Sequence, residues 1–180
     1  MLAKINGALK RIIYSLKYGK KLRFTGIPAM HRNARINILQ GNMLAGKGFS
    51  AKQGAYFAVV NNGQIHLDEA VSFGRNCITV CHDSITIGKN VFIGPHVMIY
   101  DHDHKFNSEG IQKGFRTAPI KIGNNCWIGA GTIILRGSEI GEGCVIGAGT
   151  VVRGAIPAHS LVTSNRELEI TPLSDQHGKE

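Results

Sequence analysis

The 180-residue sequence predicts an all-β fold, a parallel β-helix of six-residue repeats with a short helix in front of it. From Ile122 the chain divides into six successive blocks, IGNNCW, IGAGTI, ILRGSE, IGEGCV, IGAGTV and VRGAIP. Every block opens with Ile or Val, and Gly follows in four of them. The same frame runs back through IGKNVF and IGPHVM to IYDHDH at residues 99–104. Such a period indicates a solenoid in which each coil buries its core against its neighbours.

The first 35 residues are predicted to form a basic helical segment. Residues 1–67 contain 11 Lys or Arg and no acidic residue, and the first carboxylate is Asp68. Apolar residues fall at helical spacing, and Gly19 is the expected end of the helix; they are Leu2, Ile5, Leu9, Ile12, Ile13 and Leu16. Two roles stay open: this stripe docks on the open end of the solenoid as a cap, or residues 1–20 contact an anionic membrane surface. Nucleic acid is not predicted as a partner.

The β-helix domain is predicted over residues 36–163, with a tail at 164–180. In each block the first and fifth residues are expected to point inward, and the Gly after the opener to fit a corner. Three blocks close a coil of 18 residues, so Cys126 and Cys144 should stack on adjacent coils as small packing groups. Before Leu67 the period fades, and an irregular first coil is expected there. Within it, VVNNGQIHL is typical of two strands joined by an Asn-Gly turn.

The repeat stops at IYDHDH, and an extruded loop is predicted at residues 105–119. His102 and His104 take outward positions in the frame, and His104 borders the loop. Asp103 falls in the inward fifth slot, and Asp83 falls in the same slot one coil earlier. Buried carboxylates need donors, so these two either cap backbone N–H groups or orient His104.

The stretch PIKIGNNCWIGAGTIILRGSEIGEGCVIGAGTVV, residues 119–152, resembles the hexapeptide-repeat acyltransferases. It is similar to the galactoside and maltose acetyltransferases, and more so to O-acetyltransferases of capsule and colanic acid assembly. The resemblance implies a left-handed parallel β-helix, a homotrimer with sites between subunits, acetyl-CoA as donor and a sugar hydroxyl of a cell-surface polysaccharide or its precursor as acceptor.

The resemblance also implies roles for individual residues. His104 matches the catalytic histidine, and Trp127 matches a tryptophan near the coenzyme. Ala130 and Ala148 match positions whose backbone amides meet the pantetheine arm. Where relatives carry Thr-Lys near the coenzyme phosphates, this chain has Arg153 and Gly154, and Arg153 is expected to replace the missing charge. Three residues are acceptor-site candidates: Asn76, His82 and Arg116.

The chemistry agrees with a histidine in the site. Acetyl transfer to a hydroxyl needs a base for its proton and donors for the oxyanion, and imidazole is the base suited to neutral pH. His104 is the first candidate and His102 the second. Direct transfer is simpler than an acyl-enzyme, because Cys81 and His82 are adjacent in a strand and point to opposite sides.

Two other functions remain as alternatives. One is a non-catalytic β-helix scaffold. The other is a hydrase resembling the γ-class carbonic anhydrases, which requires three histidines around one zinc ion, whereas residues 122–139 contain none. No metal site is predicted. The four cysteines lack zinc spacing, and no signal peptide or membrane-spanning run is visible. The expected location is therefore the cytoplasm, with a peripheral position on the inner face of the cytoplasmic membrane as the alternative.

Overall fold

A short helix begins the chain in the computed structural model, which describes residues 2–164 and, within the helix, the side chains from Gly7 onward. Helix α1 spans Leu2–Tyr18, and a single 3-10 turn, Gly19–Lys21, follows. Gly19 has φ +54°, a conformation that glycine adopts without strain at the end of a helix. The predicted helix end is thereby confirmed. The predicted tail lies outside the described residues, apart from residue 164.

Twenty-two short strands follow, nearly all of two to five residues. In chain order they are β1 Leu22–Phe24, β2 Ala29–Met30, β3 Arg35–Ile38, β4 Gly41–Ala45, β5 Ser50–Ala51, β6 Tyr56–Val59, β7 Gly63–Leu67, β8 Ser72–Phe73, β9 Ile78–Cys81, β10 Ser84–Ile87, β11 Phe92–Ile93, β12 Met98–Tyr100, β13 His102–Asn107, β14 Gly110–Thr117, β15 Ile120–Ile122, β16 Trp127–Ile128, β17 Ile133–Leu135, β18 Glu139–Ile140, β19 Val145–Ile146, β20 Val151–Val152, β21 Ala155–Ile156 and β22 Leu161–Val162.

The strands stack as three parallel sheets, which are the three walls of a solenoid. Their orders are β1-β4-β7-β10-β15-β18-β21, β2-β5-β8-β11-β16-β19-β22 and β20-β17-β12-β9-β6-β3. Consecutive strands along the chain belong to different walls, so each coil visits all three. The predicted all-β parallel β-helix with an N-terminal helix is confirmed.

The 18-residue coil holds after the hairpin, where Trp127 lies beside Val145 and Ile133 beside Val151. Earlier coils are longer: Tyr56, for example, lies beside Ile78. The stack also begins with β1, ahead of the predicted boundary at residue 36. Coils longer than 18 residues do not keep a period of six. The repeat is therefore not recognisable in the sequence of the first coils, although the solenoid includes them.

Large aromatic side chains fill these wider first coils. Phe49 packs edge-on against Phe57, with ring centroids 5.7 Å apart, and Phe57 against Phe73 at 4.8 Å. All three are fully buried. Later coils are filled instead by Ile, Val and small residues such as Cys126, Thr132 and Cys144. The side chains thus match the cross-section of each coil, as close packing requires.

Glycine after the repeat opener is required by close packing between coils. A Cβ on Gly123 would lie 2.5 Å from the backbone nitrogen of Glu142, and one on Gly129 would lie 2.6 Å from that of Ala148. Real side chains never approach backbone so closely, so any other residue at these positions would push adjacent coils apart.

The segment VVNNGQIHL is a corner between two walls and not a hairpin. Strands β6 and β7 belong to different sheets, and Asn61 and Asn62 between them have φ of +50° and +63°. Asparagine tolerates this left-handed conformation in a turn. The prediction of two strands joined by a turn is confirmed. The two strands do not pair with each other, however, because each pairs in parallel with strands of the adjacent coils.

An antiparallel hairpin replaces the predicted loop. Strands β13 and β14 pair from His102↔Thr117 to Asn107↔Gly110, with an irregularity after His104. The solenoid resumes at Ile120, which lies beside Ile85. The hairpin is therefore an insertion in one coil, and its first residues leave the wall directly from β12.

All four cysteines are free and buried. Burial raises the pKa of the Cys77, Cys81 and Cys126 thiols, so the reactive thiolate is disfavoured. We expect a thiol reagent to label the native protein slowly and to count four thiols after denaturation. Fewer than four thiols in protein that is denatured without any reductant would contradict the free cysteines of the structure.

Candidate functional site

A buried carboxylate, Asp101, lies where the hairpin leaves the solenoid. It is fully buried. Its oxygens accept the backbone N–H of His82 at 2.8 and 3.1 Å and that of Asp83 at 2.8 Å. Asp101 therefore ties the preceding coil to the base of the hairpin and fixes its own orientation.

The same carboxylate contacts a histidine ring. His102 Nδ1 lies 3.3 Å from Asp101 Oδ1, and the His102 side chain is 14% exposed. A proton on Nδ1 shared with the carboxylate leaves Nε2 as a proton acceptor, as in histidines that a neighbouring carboxylate orients. Asp101 and His102 thus form a carboxylate–imidazole pair at the surface of the solenoid.

Further rings surround His102. The His82 ring stacks on it at 3.8 Å between centroids and 25° between planes. Phe115, from strand β14, meets both rings edge-on at 4.4 and 5.3 Å. On the other side, Asn61 Nδ2 lies 2.9 Å from His82 Nδ1. Residues from three successive coils and the hairpin therefore hold the two imidazoles face to face.

Asp103 and Asp83 were predicted to point inward. In the structure the inward carboxylate is Asp101 instead. Strand β12 runs beside β9 with Tyr100 next to Val80, so the following residue, Asp101, takes the place that Cys81 has one coil earlier. Both are completely buried, whereas Asp103 and Asp83 are partly exposed. The prediction was wrong for Asp103 because the chain leaves the wall after β12 and enters the hairpin, and for Asp83 because β9 ends at Cys81, so that Asp83 lies in the corner before β10.

Asp103 instead links the hairpin to two arginines of later coils. Its Oδ2 lies 2.6 Å from Arg136 Nε and 3.8 Å from Arg153 Nη2. Arg153, a predicted coenzyme-phosphate contact, is thus an exposed cation next to the hairpin base. The pairs are partly exposed, so each contributes little to stability, but together they hold the start of β13 against the solenoid.

The other predicted catalytic and acceptor residues are spread over this region. His104 is exposed on β13, and its ring centroid lies 4.8 Å from that of Phe115. Arg116 is exposed opposite Asp103, with its guanidinium 5.3 Å from the centre of the Phe106 ring. Asn76 occupies a corner with φ +54°, and its backbone N–H donates to the backbone carbonyl of Gln53. The structure therefore brings His82, His102 and His104 together around Phe115, but not Asn76.

The predicted coenzyme residues lie on the coils after the hairpin. Trp127 is 54% exposed on β16, beside the equally exposed Phe92 of β11. Ala130 and Ala148 are exposed at equivalent corners of successive coils, where the Ala130 carbonyl accepts the Gly149 amide. Their roles toward acetyl-CoA stay predictions.

Sequence reasoning missed Asp101, Asn61, Phe115 and Arg136. Simple alternation along β12 contains a signal for Asp101, since Ile99 and residue 101 must face the same side of a strand. Asn61 and Phe115 had no local signal, because their partners are distant in the chain. Phe115 reaches the histidines only through the hairpin pairing of His104 with Phe115.

Electrostatics favour neutral imidazole at His82. Burial lowers its pKa below 6.5, the neighbouring His102 lowers it further, and the Asp101 carboxylate opposes them. The unfolded chain therefore binds this proton at higher pH than the folded protein does. The free energy of unfolding gains its full His82 contribution above pH 6.5 and loses it as the pH falls.

We expect the variant His82→Gln to lose part of the decrease in stability between pH 7.5 and 5.5, as measured by urea unfolding at both values. His66→Gln, a change at an exposed histidine of β7, is the matched control and should keep the full decrease. Equal slopes for the two variants would contradict this role of His82.

Within residues 2–164, no group of three His, Cys, Asp or Glu side chains is arranged to hold a metal ion. The Cys81 thiol is completely buried and donates to the Gln64 carbonyl at 3.5 Å, and burial together with the Asp101 carboxylate raises its pKa, which disfavours the thiolate. Among the described residues, His102 is a histidine whose Nδ1 contacts a completely buried carboxylate, that of Asp101.

Comparison with known proteins agrees with the fold. Residues 119–154 match the family model described as bacterial transferase hexapeptide (six repeats). The chain thus carries the hexapeptide repeat of the bacterial transferases, and the resemblance inferred from the sequence is confirmed. The chain is 41% identical to nodulation protein L of Rhizobium leguminosarum bv. viciae over 74 residues. These residues cover 41% of this chain and 39% of that protein.

A longer match joins the chain to a putative lipopolysaccharide biosynthesis O-acetyl transferase, WbbJ, of Escherichia coli K12. It is 28% identical over 164 residues, 86% of this chain and 78% of that protein. Four curated relatives, nodulation protein L of Rhizobium leguminosarum among them, are matched over only 34% to 39% of their own length.

Among solved structures, AntD of Bacillus cereus has the same fold. AntD is an N-acyltransferase, here in complex with dTDP-4-amino-4,6-dideoxyglucose and coenzyme A. The TM-score is 0.71 at 15% identity, over 86% of this chain and 81% of AntD.

Proposed function

We propose that this protein is an acetyl-CoA-dependent O-acetyltransferase that acetylates a sugar hydroxyl of a cell-surface polysaccharide or its precursor. The observation that carries the proposal is the Asp101–His102 pair at the base of the hairpin. The repeat that it shares with the bacterial transferases supports it, and so does the similarity to a protein named for lipopolysaccharide O-acetylation.

The general base in this proposal is His102. Its Nε2 takes the proton of the sugar hydroxyl as the oxygen attacks the thioester carbon of acetyl-CoA. The tetrahedral intermediate collapses, the C–S bond breaks, and coenzyme A leaves as the thiol with a proton from the imidazolium. His104 carried this role in the prediction from the sequence, but within the described residues its ring contacts Phe115 and no carboxylate.

The experiment is a measurement of acetyl-CoA consumption against a panel of sugars, oligosaccharides and amino sugars. We expect consumption with a hydroxyl acceptor and an alkali-labile product, since esters hydrolyse in base and amides resist it. An alkali-stable product from an amino sugar would replace the proposal with N-acetyl transfer. Full activity after dialysis against a chelator is expected too, and its loss would contradict a metal-free transfer, whereas zinc in the purified protein would support the metal-hydrase alternative.

A non-catalytic scaffold is the second candidate. The exposed tip of the hairpin favours it, because Phe106 and Ile111 lie side by side there as a small apolar surface suited to a protein partner. Calorimetry with acetyl-CoA separates the two, since a scaffold has no reason to bind the donor.

The active form is proposed to be a homotrimer. Phe92 and Trp127 form an exposed aromatic pair on one wall, and such pairs are typical of subunit contacts or coenzyme walls. We expect light scattering to give three times the chain mass of 19.5 kDa, and the variant Phe92→Asp to lower it. Leu39→Asp, also at an exposed apolar residue but outside this wall, is the control. A stable and fully active monomer would contradict the proposal.

A further inference from the structure

Helix α1 packs on the first coils through one face only. Gly7 is buried there, and a Cβ on it would clash with the Pro28 carbonyl. The Tyr18 hydroxyl donates to the Ile36 carbonyl at 3.0 Å, and the Tyr14 hydroxyl accepts the Ile36 amide at 3.2 Å. The Lys10 ammonium donates to the Ala34 carbonyl. The helix thus covers the end of the solenoid, but it does so through these residues and not through the apolar stripe that was predicted as the cap.

The apolar stripe of the same helix faces the other way. Leu9, Ile12, Ile13 and Leu16 are 57%, 59%, 49% and 83% exposed. At 100° per residue they centre on the side opposite to Gly7, Tyr14 and Tyr18. The stripe therefore does not cap the solenoid, and capping and surface contact belong to two different faces of one helix.

Exposed cations border this stripe and follow it along the chain: at 100° per residue Lys17 lies beside the stripe, Lys20, Lys21 and Arg23 come after it, and Arg11 lies on the side of Gly7 and Tyr18. Arg11, Lys17, Lys20, Lys21 and Arg23 are all exposed. In the described part of the chain none of the five lies within ion-pair distance of a carboxylate, and residues 1–67 contain no acidic residue at all. An exposed apolar stripe with unpaired cations beside it and after it complements a surface that has an apolar interior and an anionic outer layer.

We propose that α1 docks this protein on an anionic lipid bilayer, with the apolar stripe among the acyl chains and the cations at the headgroups. A second copy of the chain is a poorer occupant, because two such segments would bring like charges together without any acidic residue to pair them. No helix of residues 2–164 is long and apolar enough to span a membrane, so the contact is peripheral. The proposal does not depend on the enzymatic function.

The test is flotation of the full chain with two kinds of vesicle. One is phosphatidylcholine alone, and the other contains about 30% phosphatidylglycerol, which makes its surface anionic. Binding is expected to the anionic vesicles at low salt and to fall as salt screens the headgroups. The double variant Ile12→Glu/Leu16→Glu should lower the bound fraction about tenfold. Both side chains are exposed, so the fold should persist, which circular dichroism and an unchanged Tm would verify.

The matched control is Ile111→Glu at the exposed tip of the hairpin, which should float like the wild type. Lys20→Gln/Lys21→Gln should weaken binding and reduce its salt dependence. Three outcomes would overturn the proposal: no flotation of the wild type, equal binding of the Ile12→Glu/Leu16→Glu variant, or a concentration-dependent self-association that this variant abolishes. The last result would assign the stripe to a second copy.

Discussion

Replacing His102 with alanine is expected to lower kcat for acetyl transfer by about 10²-fold or more, the range of a lost general base. Acetyl-CoA binding should persist, because the change removes the proton acceptor and leaves the coils after the hairpin intact. Initial rates with a responsive acceptor give kcat, and calorimetry gives the Kd of acetyl-CoA. A loss of acetyl-CoA binding would mean that His102 holds the donor instead.

The comparison variant is His104→Ala. Its ring is exposed and contacts Phe115 at 4.8 Å, so we expect a smaller decrease in kcat than for His102→Ala. The opposite order, with His104→Ala inactive and His102→Ala active, would return the base to the residue that the family resemblance predicts. The two variants therefore decide which histidine of the hairpin base takes the proton.

Removing the Asp101 carboxylate is expected to have the largest effect on stability. Asp101→Ala leaves the partly buried backbone amides of His82 and Asp83 without their acceptor, which costs about 3 kcal/mol. For a chain of this size Tm should fall by roughly 6–12 °C, as differential scanning calorimetry measures. A change below about 2 °C would show that other groups or water replace the carboxylate.

Asp101→Asn separates the structural role from the positioning role. The asparagine oxygen still accepts a backbone amide, but its NH₂ group cannot accept from the others or from His102 Nδ1. We expect a moderate loss of Tm together with a large loss of kcat and a shifted pH profile of kcat. The control, Asp83→Asn, changes a partly exposed carboxylate whose backbone, not its side chain, meets Asp101. It should change the free energy of unfolding by less than about 0.5 kcal/mol.

The repeat predicted the fold well from Ile122 onward, because inward slots require aliphatic or small residues and the close approaches between coils require glycine. Gly123 and Cys126 are examples. It failed where coils grow longer, as between Tyr56 and Ile78, since a fixed period cannot follow a changing perimeter. It also failed at Asp103, where the frame assumed that the wall continues while the chain had already entered the hairpin.

The solenoid, the helix in front of it, the insertion near residue 105 and the histidines that open it were all predictable from the sequence. These follow from local spacing, since a period of six and a helical stripe are readable over a few turns of chain. Three further facts emerge from the folded chain: Asp101 is the buried carboxylate, His82 stacks on His102, and the described part of the α1 stripe faces away from the coils. The physical reason is that these three facts depend on contacts between coils, and lateral register is set by the whole stack and not by neighbouring residues.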